Sequence, residues 1–288
     1  MKQLLAMLML PLFLTSCMVS GDWDGTIDGG GHGGHGGTIT EIRDLSSFSH
    51  VEIVGDIDVY IQTGPRHAAY VTADPEMQDF IETNTFLGVL TIEMAGHTHG
   101  SVPKVVVTLP DLRSVSHDGD GLVAIDEDGQ FPDLNLELNA GGEIRFSGTA
   151  ARLKADLNGA GRIYLEGYAD LLRANLRGNG EIRAENLLAG DADVVLGGAG
   201  NIFLDLDYSS VLNLALTGSG TVEWWGAPAR LNYTLSGTGK IIEHRGIPKR
   251  GAGAPKVALP KAGSPDAIPS PPKVITRDSL KGSTGSGQ

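Results

Sequence analysis

The chain has 288 residues, a formal charge of −13, 20% charged and 6% aromatic residues, and 41 glycines, about twice the usual share. The acidic balance excludes a nucleic-acid partner, because phosphate contacts need a basic footprint. One cysteine excludes an intramolecular disulfide, and few aromatics mean a core built from Leu, Ile, Val and Ala.

The N-terminal stretch "MKQLLAMLMLPLFLTSC" carries Lys2, then an apolar run over residues 4–14, then Thr15, Ser16 and Cys17. The run is too short to span a bilayer and matches a secretory signal, residues 1–16. "LTSC" resembles the bacterial lipobox, in which the cysteine is lipidated and becomes the new N-terminus. Cys17 is therefore the expected lipidation site, with an ordinary cleaved signal as the alternative. Residues 17–38 have no apolar periodicity and read as a Gly/His-rich flexible tether. His32 and His35 are too few to make a metal site.

Residues 39–61 read as strands, and "HVEIVGDIDVYIQTG" alternates apolar and polar, with Ile53, Ile57, Val59 and Ile61 on shared faces and Gly55 at a break. "MQDFIE" allows one helical turn. "VLTIEM" and "KVVVTLPDL" are further strands, the second ended by Pro110.

A repeat then begins. The second glycine of a Gly-x-Gly turn recurs at Gly121, Gly142, Gly161, Gly180, Gly200, Gly220 and Gly239, with spacings of 19 to 21 residues. The first position holds Gly119, Ala140, Gly159, Gly178, Gly198, Gly218 and Gly237. Two residues after the second glycine stand Val123, Ile144, Ile163, Ile182, Ile202, Val222 and Ile241. The segments before each turn alternate with period two, as in Leu153, Ala155, Leu157 and Leu212, Leu214, Leu216. A fixed period near 20 with strand alternation on both sides of a turn predicts stacked rungs. The fold class is all-β: a right-handed, single-stranded parallel β-helix with N-terminal strands capping or extending it. Two reasons favour glycine at the corner: positive φ, and corner-on-corner stacking without room for a Cβ. Outward, Glu143, Arg162 and Glu181 should lie side by side with alternating sign.

A dinucleotide loop is excluded, because the third glycine is missing: its place holds Tyr164 in one copy and Arg183, Phe203, Glu223 and Ile242 in others. No calcium-binding nonapeptide pattern recurs, and the acidic turns "DGDG" and "DEDG" lack the closing Glu of an EF-hand. Asp156, Glu166, Glu185 and Asp205 are outward carboxylates that a polysaccharide lyase or hydrolase would recruit, but they read as solvated charge. His97 and His99 read as loop polar residues. Trp224 aligns with Leu165 and Leu204 and should be core. Trp225 aligns with Glu166 and Asp205 and should point outward, as a sugar or protein contact or under the C-terminal tail or a neighbouring subunit. Residues 247–288, rich in Pro, Gly and Ser, carry seven Lys/Arg against two Asp/Glu, a net of +5, and read as a disordered basic tail.

The stretches "FSHVEIVGDIDVYIQTG", "VLTIEM" and "VVVTLPDLRSVSHDGDG", followed by the Gly-x-Gly-x-Ile turns, together resemble a bacterial envelope family, the head GIN domain or putative auto-transporter adhesin. The resemblance covers about residues 40–245, within a domain expected over 39–246, and the literal triplet Gly-Ile-Asn is absent. It implies a β-helical body, an envelope location and no known catalytic residues. The expected function is a lipid-anchored, non-catalytic module binding a surface polysaccharide or protein, with no cofactor and no metal. A second copy of the chain is a further candidate partner. A carbohydrate-active enzyme on the same scaffold and a structural or signalling partner in the periplasm remain alternatives. Met18 is not the aspartate that retains some lipoproteins at the inner membrane, so the expected location is the outer membrane.

Overall fold

The computed structural model describes residues 37–96, 102–207 and 210–244. Cys17, the tether with His32 and His35, the pair His97 and His99, and the basic tail lie outside them. The described residues form strands β1 (Ile39–Asp44), β2 (His50–Val54), β3 (Asp58–Thr63), β4 (Ala68–Ala73), β5 (Ile81–Phe86), β6 (Val89–Met94), β7 (Lys104–Leu109) and β8 (Ser114–Asp118). They continue as β9 (Leu122–Leu138), β10 (Glu143–Leu157), β11 (Arg162–Leu176), β12 (Glu181–Leu196), β13 (Asn201–Leu206) and β14 (Val211–Leu216), then β15 (Thr221–Trp225), β16 (Arg230–Leu235) and β17 (Lys240–His244). The expected helical turn is a 3-10 turn at Gln78–Phe80.

Each repeat makes one coil of two legs. One leg follows the Gly-x-Gly corner; the other precedes the next corner. In β10 and β11 the chain bends between the legs at Gly148 and Gly167, and Gly167 has φ +111°, a conformation that glycine adopts at little cost. Equivalent legs pair in parallel, so Val123, Ile144, Ile163, Ile182, Ile202, Val222 and Ile241 form one continuous row. On the other leg Leu136, Ala155, Ala174, Val194, Leu214 and Tyr233 form another. The inward side chains of both legs meet in one cluster. Each fully buried Leu or Ile there contributes roughly 1.5–3 kcal/mol by leaving water. The fold is a parallel β-helix, or β-solenoid.

The first coils are not stacked in chain order. β2 lies between β6 and β8, and β3 between β7 and β9. The chain lays its second coil outside the first, then returns to the first coil's opposite side. The N-terminal end is finished by antiparallel strands: β4 on β7, β1 on β4, and β5 on β6. Arg43 ties the two edges together, its Nη1 donating to the Ile81 carbonyl at 2.5 Å. Gln78 Nε2 donates to the carbonyls of Ile39 at 3.0 Å and Val71 at 3.1 Å. The C-terminal end has no such finish among the described residues. There Leu231, Tyr233 and Leu235 occupy inward positions yet are 38%, 63% and 48% exposed.

The corner glycines correct one expectation. Among the seven corners none of the glycines lies in the left-handed region; the positive-φ glycines are elsewhere, as at Gly55, Gly88 and Gly226. Close stacking is what favours glycine, and Ala140 is the one residue at these corner positions that carries a Cβ. A Cβ on Gly178 would lie 1.8 Å from the carbonyl oxygen of Gly159 one coil below, and one on Gly200 would lie 2.0 Å from that of Gly180.

Candidate binding face

The four outward carboxylates do not assemble into a site. Asp156 stands on the leg before the corner, whereas Glu166, Glu185 and Asp205 stand on or next to the leg after it. Two of them are buried, contrary to the solvated charge expected. Asp156 accepts a bond from Asn175 Nδ2 at 2.6 Å and pairs with Lys154 Nζ at 2.5 Å. Glu185 is 5% exposed because β12 carries an extra residue: Tyr164 pairs with Arg183, but Glu166 pairs with Asn186, and Glu185 falls in the resulting bulge. Its Oε1 receives Arg183 Nε at 2.9 Å and Nη2 at 2.6 Å, while Oε2 is buried without a hydrogen-bond partner. Burial, the largest influence, works against the charge of Arg183, but its bond to Glu185 and the charges of Glu185, Glu181 and Tyr164 together outweigh it and raise the pKa. Both buried carboxylates are thus committed to neighbouring side chains.

Trp224 is in the core and Trp225 on the outside, as alternation requires. Trp225 is half-buried: the His244 ring stacks on it with centroids 4.4 Å apart and planes 10° off parallel. His244 Nε2 in turn lies 2.8 Å from Glu223 Oε2. One face of the expected contact residue is therefore occupied from within the chain.

Sequence reasoning overlooked the row next to Glu143, Arg162 and Glu181. Arg145, Tyr164, Arg183 and Phe203 occupy one outward row on successive coils. The Arg145 guanidinium lies 5.9 Å from the Tyr164 centroid, and that of Arg183 lies 5.0 Å from the Phe203 centroid. The signal was available, three residues after each second glycine. In the neighbouring row Arg162 approaches Glu181 at 3.8 Å, but Glu143 pairs with Arg145. Residues two apart on a strand face the same way, so a partner along the strand competes with one across it.

The opposite leg presents a different surface. Arg173 Nε lies 3.4 Å from Asp193, Asn213 Nδ2 donates to Asp193 Oδ1 at 2.7 Å, and Asn232 Nδ2 donates to Asn213 Oδ1 at 2.8 Å. Beside this ladder runs a row of small side chains, Val195, Ala215 and Thr234. The two rows, with Val194, Leu214 and Tyr233 between them, line an open groove of about 420 Å³. Among the described residues no three metal-binding side chains come together, and no helix is long and apolar enough to cross a membrane.

Residues 47–228 match the family model described as "Putative auto-transporter adhesin, head GIN domain". The chain belongs to the head GIN domain family. Solved structures share the fold of this head GIN domain. A putative adhesin from Bacteroides fragilis is 21% identical, with a TM-score of 0.67 over 72% of this chain and 97% of that one. A putative lipid binding protein from Parabacteroides distasonis is 20% identical, with a TM-score of 0.58 over 73% and 98%. A putative adhesin from Parabacteroides merdae is 18% identical, with a TM-score of 0.56 over 73% and 98%. At these identities the likeness establishes the fold alone. No curated protein matches the sequence.

Proposed function

We propose that this head GIN domain is a non-catalytic, adhesin-like binding module of the cell envelope, and that its ligand is a surface polysaccharide held on the Asp193–Asn213–Asn232 face. The groove carries the reading. Its amide and carboxylate ladder offers hydrogen bonds at a spacing of about 4.8 Å, the separation of paired strands. The low row of Val195, Ala215 and Thr234 offers an apolar floor for the C–H faces of sugar rings. Repetition along the coil favours a polymer, because each added contact becomes intramolecular once the first is made. Anchoring through a lipidated Cys17, on a tether of residues 17–38, fits the "LTSC" ending of the signal, and an outer-membrane location fits Met18 in place of a retaining aspartate.

The test is retention of a panel of envelope polysaccharides by the full chain, with cleavage scored separately. Asn213→Ala and Ala215→Arg should each weaken retention at least tenfold without altering the fold, since both positions lie on the outer surface. Cleavage abolished by replacing one outward carboxylate would replace this reading with the enzyme. Labelling with a lipid precursor, lost in Cys17→Ala, tests the anchor.

A further inference from the structure

We propose that the C-terminal tail of the chain closes the open end of the β-helix, laying a short edge strand centred on Val257 and Leu259 over Leu231, Tyr233 and Leu235. The pairing register defines what is missing. Leu231, Tyr233 and Leu235 stand opposite Leu212, Leu214 and Leu216, which are 0%, 3% and 0% exposed. The last three are buried because a further leg covers them; the first three are exposed because, among the described residues, none does. Among the described residues β16 pairs with β14 and β17 with β15, each on one side only, so the outer edge of the final coil offers backbone groups as well as core side chains for a further strand. A solenoid end in that condition recruits other chains unless it is capped. The N-terminal end is capped by β1 and β5.

Three observations name the tail as the occupant. The first is its point of departure. The chain leaves the last coil at His244, which is held in place by its stacking on Trp225 and its bond to Glu223. The intervening residues 245–255 reach up to about 36 Å extended, against about 20 Å for one leg. The second is charge. Residues 191–244 hold six Asp/Glu and two Lys/Arg, a net of −4, and residues 247–288 carry a net of +5. The third is pattern. In "PKVALPK" Val257 and Leu259 alternate with Lys256 and Ala258, and Pro255, Pro260 and Lys261 flank them. Such a strand buries two apolar side chains on one face and turns Lys outward. Pro is tolerated only where no further strand must pair, and Lys and Pro are what protect a sheet edge.

The experiment uses the full chain with Cys17→Ser, so that no other thiol is present. Leu259→Cys is combined in turn with Leu231→Cys, Tyr233→Cys and Leu235→Cys, and each variant is oxidised mildly. The expected result is a disulfide within one chain for at least one pair, in a monomer. Links only between chains would assign the end to a second copy and overturn the proposal; so would no link in any pair. Amide exchange gives a second reading. Val257→Asp with Leu259→Asp should accelerate exchange at residues 230–235 at least tenfold while leaving residues 162–176 unchanged. Unchanged exchange at residues 230–235 would overturn the proposal equally.

Discussion

His117 stands directly between Ile53 and Leu138 in the core, and its Nε2 donates to the carbonyl of Gly121 at 3.0 Å. It is the only imidazole in a row otherwise made of Ile and Leu, and it is fully buried. The bond links the last residues of β8 to the first Gly-x-Gly corner, so His117 fastens the irregular N-terminal coils to the regular repeat.

Burial lowers the His117 pKa below its ordinary value of 6.5, although the carbonyls of Gly121 and Ile53 and the charges of Asp118 and Asp56 partly oppose this. Below pH 6.5 the unfolded chain binds a proton here that the folded chain refuses, so stability falls as pH falls from 6.5 toward the folded pKa. Above 6.5 the residue contributes no pH dependence. Urea unfolding at pH 7.5 and pH 5 should show a steeper loss for the native chain than for His117→Leu, which at pH 7.5 should itself cost about 1 kcal/mol through the lost bond.

The corner stack predicts a contrast between two glycines. Gly178→Ala sets a Cβ against the Gly159 carbonyl and should cost more than about 3 kcal/mol, because backbone on both coils would have to move. Gly197→Ala meets nothing closer than Thr217 Oγ1 at 3.7 Å, and should change stability by less than about 1 kcal/mol. Denaturant midpoints of the two variants decide whether close stacking, and not local backbone conformation, selects glycine.

For Arg183 and Glu185 the prediction is non-additive. Arg183→Met leaves the Glu185 carboxylate buried without its hydrogen-bond donor and should destabilise by about 1–3 kcal/mol. Adding Glu185→Leu removes the stranded charge and should recover part of that loss. A double-mutant cycle by urea unfolding measures the coupling; additive effects would show that the pair contributes nothing.

At the β5–β6 hairpin, Leu87 has φ +49° and is followed by Gly88 at φ +81°. Two positive-φ residues make the turn that Asn-Gly prefers, and a leucine there pays roughly 1 kcal/mol or more for its Cβ. Leu87 is 86% exposed, so it loses no packing on replacement. Leu87→Asn should raise the unfolding free energy by about 0.5–1 kcal/mol, measured by thermal or urea unfolding.

Much of the candidate face follows from period two alone. Alternation sends Trp224 inward and Trp225 outward, and puts Asp193, Asn213 and Asn232 on one outer row. It says nothing about what then covers a residue. His244 reaches Trp225 only because a coil returns after 19 residues, and Glu185 is buried only because one coil is a residue longer and must bulge.

By itself the amino-acid order determined the coil. Glycine pairs every 19 to 21 residues, with apolar residues at alternate positions between them, leave no other way to bury one side of every strand and pair every backbone. Tertiary structure alone decided which strands are neighbours at the beginning of the stack. β2 and β3 accept β6 and β7 on one edge and β8 and β9 on the other, although β2, β6 and β8 share one alternation. A strand's pattern states which face is buried, because that depends on its own side chains. It does not state which edge meets which, because backbone hydrogen bonds are chemically identical on both sides, and only the packing of the whole chain distinguishes them.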